Sequence, residues 1–214
     1  MQDEHGFIWK AMLDTIDLGL AGRRVLDAGC NQGGFLRLLV DRESIAEGYG
    51  YDPASAAIDD ARRLAGGRPL VFETASTVPA GWAGFDVAFS HEVLYLISDL
   101  PAHAAAMGSA LRPGAPYFAT IGVHAASPLM SAWHTARAGD LELPRLYDLD
   151  DVAGAFQAAG FDVAVSRLRF RFVPVAAHRP RPEDRRDLLD WLDYYNRDKV
   201  LFRFTTPPQL ARPD

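Results

Sequence analysis

Residues 23–40 read RRVLDAGCNQGGFLRLLV: a short apolar run, one aspartate, three glycines around a lone cysteine, then an amphipathic continuation. Arg23 to Ala28 has the length and apolar content of a core strand, and Phe35 to Val40 carries helical periodicity. The glycines therefore fall in a turn from strand to helix. Gly29, Gly33 and Gly34 let backbone approach a ligand without Cβ collisions, and a helix beginning near Gly33 directs unpaired N–H groups toward it. Asp27 closes the strand. A loop built for pyrophosphate gains nothing from an acid there, whereas a ligand carrying a positive amino group does.

Working outward, strands alternate with helices. Residues 6–20 place Ile8, Met12 and Ile16 at helical spacing. Ala46 to Tyr51 reads as a second strand, and DPASAAIDDARRLAGG as a helix opened by Asp-Pro and closed by Gly66-Gly67. RPLVFE, GFDVAFS and APYFATIGV read as strands three to five, with a helix over 99–111. The stretch 124–147 has no clean period and reads as an insertion or lid. A capped helix, DLDDVAGAFQAAGF, precedes the alternating run DVAVSRLRFRFVPV, and a helix with Leu188, Leu189, Trp191, Leu192 and Tyr195 on one side precedes the last strand, KVLFRF. This order predicts an α/β fold: a mostly parallel sheet with helices on both faces, binding its ligand beyond the carboxyl ends of the strands.

Composition bounds the function. A chain of 214 residues, 49% hydrophobic and 23% charged, can bury a full core as a single domain over 1–214. A net charge of −6 argues against nucleic acid or an anionic membrane as the main partner and favours a small-molecule substrate. One cysteine forms no internal disulfide, and MQDEHGFIWK lacks the pattern of a secretion signal, so the expected location is cytoplasmic. The histidines show no paired metal-ligand spacing, so no metal is expected.

A dinucleotide-binding turn would read G-x-G-x-x-G, but Asn31 stands where the second glycine belongs. The stretch instead resembles the first motif of class I S-adenosylmethionine-dependent methyltransferases, D-x-G-C-G-x-G, over Asp27, Ala28, Gly29, Cys30, Asn31, Gln32 and Gly33. The resemblance continues through YGYDPASAAIDDA, FETASTVP, GFDVAFSHEVLYLI and ALRPGAPYFAT, in order, across residues 22–122. It implies a Rossmann-like sheet of seven strands with a C-terminal antiparallel hairpin, and S-adenosyl-L-methionine as cofactor. It further implies a monomer or homodimer, with helix 1–21 and segments 124–147 and 176–196 covering the acceptor pocket.

The resemblance also assigns residues. Asp27, Gly29, Cys30, Asn31 and Gly33 form the cofactor turn; Asp52, beside Pro53, accepts the ribose hydroxyls; Thr74 and Ala75 stand at the adenine segment, where Glu73 and Thr74 both compete for the amino-group contact. Ser90, His91 and Glu92 lie beside the methionine part and the methyl group. Cys30 reads as a small packing residue, because nothing nearby would activate a thiolate. Where the acceptor must shed a proton, His91, Glu92, Tyr95 and His124 are the candidate bases. Asn31 tolerates left-handed backbone, and its amide is within reach of the methionine carboxylate.

Two other readings compete with small-molecule methyl transfer of the natural-product type. An asparagine at this position also occurs in some methyltransferases acting on RNA ends, and Arg167, Arg169 and Arg171 alternate as if on one strand face, with Arg179, Arg181, Arg185 and Arg186 close in sequence. Such a face protects a solvated sheet edge or lends an arginine to a substrate carboxylate. The third reading is a non-catalytic cofactor-binding module. His124, Trp133 and His134 in the insertion, and Trp191, Tyr194 and Tyr195 near the C-terminus, read as loop and packing residues.

Overall fold

Val25 and Leu26 are both wholly buried, yet they point to opposite faces of one strand, which requires packed layers on either side. The computed structural model describes residues 2–123, 125, 145–175 and 187–208. Its strands are β1 (Arg24–Ala28), β2 (Glu47–Asp52), β3 (Leu70–Thr74), β4 (Val87–His91), β5 (Pro116–Gly122), β6 (Asp162–Arg167) and β7 (Lys199–Thr205). They form one sheet in the order β3-β2-β1-β4-β5-β7-β6. The first five run parallel, and β7 lies antiparallel between β5 and β6. The seven-stranded, Rossmann-like sheet with an antiparallel C-terminal pair is therefore present as expected.

The parity of each strand sorts the core. Leu26, Ala88, Tyr117 and Ala119 face the layer of α4 (Leu100–Ala110) and α5 (Leu149–Ala158), where Phe156 stacks on Phe204 with ring centroids 3.7 Å apart. Val25, Val87, Phe89 and Phe118 face the layer of α1 (Gln2–Thr15), α2 (Gly34–Glu43) and α3 (Ser55–Ala65). Asp27, His91 and Thr120 share the parity of this second face, so α1 covers the ends of β4 and β5. Helix α5 begins with a full capping box between Asp148 and Asp151, the start that its sequence announces.

Three elements differ from the sequence reading. Helix α1 spans Gln2–Thr15 rather than 6–20, because the Asp17–Gly22 stretch holds two glycines, one of them at a φ of 71°. Strand β6 ends at Arg167, not near 175: a strand extends only as far as its partner, and β7 begins at Lys199, which accepts the last ladder bond from Leu168 N. Of the three alternating arginines only Arg167 is in a strand, and its guanidinium donates to the carbonyl of Arg197, so the single basic strand face does not form. The four later arginines lie outside the described residues. Helix α6 (Leu188–Asp193) buries Trp191 but leaves Leu188, Leu189 and Leu192 exposed, and a π-turn over Tyr194–Asp198 follows it.

Candidate functional site

The carboxyl ends of β1, β2 and β4 open into one cleft of about 750 Å³. Its floor is the turn after β1. Gly29 N and Cys30 N both donate to Tyr51 O, at 2.8 and 3.1 Å, which ties the turn to β2. Gly29, Asn31 and Gly33 take φ angles of 75°, 47° and 68°, the left-handed region. Asn31 holds it by accepting from Gln32 N at 2.8 Å through its own Oδ1, a local bond that asparagine makes readily. Gly33 then caps α2.

Glycine is demanded here by the protein itself. A Cβ on Gly33 would stand 2.4 Å from Phe72 Cζ, and one on Gly29 would stand 2.4 Å from Val93 Cγ2. Gly33→Val should therefore combine backbone strain with overpacking and cost about 2–5 kcal/mol. The shift of the urea midpoint against wild type measures it.

Asp52 links the two loops. Its Oδ2 accepts from Asn31 N and its Oδ1 from Ala54 N, each at 2.9 Å, so the carboxylate is fixed at the end of β2 by backbone donors. Asp27 differs. It is buried, and among the described residues no donor or cation bonds its carboxyl group. Burial, with the neighbouring Asp52 charge adding to it, pushes its pKa up to about 8. The group is poised to ionise when a cation arrives. Cys30 is buried, its thiol pKa raised by desolvation first and then by Asp27 and Asp52; its Sγ lies where a Cβ on Gly50 would stand, at 2.7 Å. That is a packing thiol.

Beyond β4 the groups are mostly neutral or paired. His91 Nδ1 lies 2.6 Å from Thr120 Oγ1, and burial lowers the imidazole pKa to about 3, so the ring is neutral at physiological pH. Glu92, at a φ of 57°, accepts from Lys199 Nζ at 2.5 Å in a largely buried ion pair. Burial raises the Tyr95 pKa, with the Glu92 charge adding to it, and keeps the phenol protonated. His5 and Trp9 of α1 close this end: His5 meets His91 edge-on with centroids 5.4 Å apart, and Trp9 meets it at 6.4 Å.

Asp27, Gly29, Cys30, Asn31, Asp52, Pro53, His91, Glu92 and Tyr95 all line the cleft. Others named from the sequence do not. Gly33 packs beneath the turn. Thr74 is exposed in register with Asp52, and Ala75 is tied to Asp52 O, while Ser76 and Thr77 line the cleft in their place. The segment turns away one step after β3, which carries the wall two residues further along the chain. Ser90 is wholly buried and accepts from the Tyr117 hydroxyl at 2.7 Å, because strand parity points it into the opposite layer. His124 lies outside the described residues. Sequence reasoning missed His5, Trp9 and Arg37. The first two are four residues apart on α1, beside the apolar stripe, and that spacing was the available signal.

A glycine turn after β1, an acid closing β2 and an antiparallel C-terminal pair together define a Rossmann-like class of nucleotide-binding enzymes. Residues 8–165 match a family described as a methyltransferase domain. The chain is 27% identical over 165 residues to the malonyl-[acyl-carrier protein] O-methyltransferase of Legionella pneumophila, covering 73% of this chain and 58% of that one. It is 34% identical over 144 residues to the enzyme of the same name from Halorhodospira halophila, covering 65% and 48%. The chain thus spans about half the length of these curated relatives.

Among solved structures, a putative methyltransferase of Haloferax volcanii in complex with the Trm112 methyltransferase activator superposes with a TM-score of 0.81 at 22% identity, over 97% of this chain and 92% of that one. An S-adenosylmethionine-dependent methyltransferase from Mesorhizobium loti superposes at 0.70 and 17% identity, over 93% and 97%. Both likenesses show the shared fold. The chain belongs to the methyltransferase-domain family, within the class I S-adenosylmethionine-dependent methyltransferases. The residues present fit that cofactor: Asp27 is a buried carboxyl group without a cation, and Asp52 is a carboxylate held at the rim of the same cleft.

Proposed function

We propose that this chain transfers a methyl group from S-adenosylmethionine to a small-molecule metabolite. One observation carries the reading: a buried, unpaired Asp27 and a backbone-fixed Asp52 flank one cleft, a spacing of charge that suits a ligand with an ammonium at one end and hydroxyls at the other. In this reading Asp27 takes the amino group, Asp52 the ribose hydroxyls, Asn31 and Gln32 the turn beside the methionine part, and Ser76 and Thr77 the base. His91, Glu92 and Tyr95 surround the methyl group.

Bound there, S-adenosylmethionine supplies a methyl group already activated on a sulfonium. The chain's own work is then alignment and exclusion of water, which lowers such barriers by roughly 7–11 kcal/mol. The aromatic wall of His5, Trp9 and Tyr95 suits the second task. A metabolite acceptor is supported by the net charge of −6 and by relatives named as O-methyltransferases of a malonyl-carrier conjugate. Of the two features that favoured RNA, the alternating strand face of Arg167, Arg169 and Arg171 does not form, while Asn31 in the turn remains.

Asp52→Ala should weaken binding of S-adenosylhomocysteine by about 10- to 100-fold, the equivalent of charge-assisted hydrogen bonds worth roughly 1.5–3 kcal/mol. Isothermal titration calorimetry reads this directly. An unchanged affinity, or tight binding of a nicotinamide dinucleotide by the wild-type protein, would refute the reading.

A further inference from the structure

A second cavity, of about 850 Å³, lies across α1 from the cleft. His5 and Trp9 line the cleft, whereas Phe7, Lys10, Ala11 and Asp14 of the same helix line this groove. Its other wall is the chain that follows β6. That wall exists because β6 ends at Arg167, and the wholly buried Leu168 donates from its N to Lys199 O, at the first residue of β7. With the ladder ended there, Arg169 to Phe172 line the groove instead of extending the sheet.

The groove joins an apolar floor to free positive charge. Phe7 and Phe170 meet with ring centroids 5.7 Å apart, and Phe172, in the same wall as Phe170, is 83% exposed. Lys10 is engaged by Asp14 at 2.8 Å. Arg169 and Arg171 are exposed and have no partner among the described residues, whereas Arg24, Arg62, Arg63, Arg68 and Arg112 each pair with an acid. Charges often keep a sheet edge from pairing, but these two lie past the end of β6 and guard no edge.

Two guanidinium forks beside exposed ring surface complement a ligand with an anionic head and an apolar body. A carboxylate carries one charge and neutralises one fork; a phosphate monoester carries close to two at neutral pH and matches both. A long polyanion would be repelled by the rest of a chain of net charge −6, so the ligand is small. The cavity volume suits one, small-molecule sites spanning roughly 300–1,000 Å³. We propose that this groove binds a small organic phosphate monoester, its phosphoryl oxygens held by Arg169 and Arg171 and its apolar body covered by Phe172 and the pair of Phe7 and Phe170. The site is separate from the cleft and stands independently of the methyltransferase reading.

Calorimetry on the whole chain, with S-adenosylhomocysteine present to fill the cleft, tests this with naphthyl phosphate. The ester should bind, and its affinity should fall with added sodium chloride, since exposed cations hold it. Arg169→Gln and Arg171→Gln should each weaken it by about tenfold, the scale of a lost charge-assisted hydrogen bond, and Phe172→Ala by about threefold or more. All three variants should keep the wild-type melting temperature and S-adenosylhomocysteine affinity. Naphthoate, inorganic phosphate and naphthalenemethanol should each bind more weakly than the ester. No binding of the ester, undiminished affinity in either arginine variant, or equal affinity for naphthoate or for inorganic phosphate overturns the proposal. Failure of the wild-type protein to bind S-adenosylhomocysteine is the separate failure of the methyltransferase reading, and the arginine variants still decide this one.

Discussion

Asp27→Asn should abolish measurable cofactor binding and yet raise the melting temperature of the ligand-free protein. Both effects have one cause. The carboxyl group is buried at the end of β1 with no counter-ion, and its pKa of about 8 records the cost of charging it there. Between about pH 4 and pH 8 the folded protein keeps a proton that the unfolded chain releases, so stability falls as pH rises through that window. An asparagine of the same shape removes that dependence. At pH 8 the gain should reach at least about 1 kcal/mol, or roughly 2–4 °C for a chain of this size.

Binding runs the other way. Pairing with an ammonium requires the ionised carboxylate, so wild-type affinity for S-adenosylhomocysteine should fall by up to about tenfold per pH unit below 8 and level off above it. Asparagine offers no charge, and the loss should exceed about 100-fold, the scale of removing one partner from a buried ion pair. Calorimetry from pH 6 to 9 and a thermal melt at pH 8 check the two halves. A variant that is neither more stable nor weaker in binding shows that Asp27 is not the ammonium site.

Lys199→Met should destabilise the fold by about 3–5 kcal/mol, the largest loss expected of any single change here. Lys199 is 3% exposed at the first residue of β7, its ammonium 2.5 Å from Glu92 and 4.8 Å from the centre of the Tyr194 ring. Burial is the largest single influence and would lower its pKa; the charges of and hydrogen bonds to Glu92 and Tyr194 together more than offset this and hold the lysine protonated. Methionine fits the space but removes the Lys199 charge from beside the largely buried Glu92, on backbone already held at a φ of 57°. A double-mutant cycle with Glu92→Gln, read as denaturant midpoints, should recover much of the loss. Full additivity of the two changes would contradict the pairing.

Much of this was legible in the sequence, for identifiable reasons. The turn at residues 29–33 is set by neighbours in the chain, so its glycines, Asp27 and the left-handed Asn31 could be read from a few residues. Asp52 could be placed because a strand end and a helix start follow each other directly. Strand length in β6 could not, since it depends on where β7 begins some thirty residues later. Ser90 was misplaced by one step of strand parity, and Thr74 by a bend that only the path after β3 defines. The pairing of Glu92 with Lys199 joins residues 107 positions apart in the chain and leaves no local trace. The same is true of the contact between His91 and Thr120.

One consequence follows from the division of faces. The turn and acids proposed to receive the donor are built into the central strands, whereas His5 and Trp9, which close the far end of the cleft, belong to a single peripheral helix. Selectivity for the second reactant can therefore drift by changing one helical surface, at little risk to the machinery that recognises the first. Swapping α1 residues is accordingly the most economical route to retargeting this catalyst.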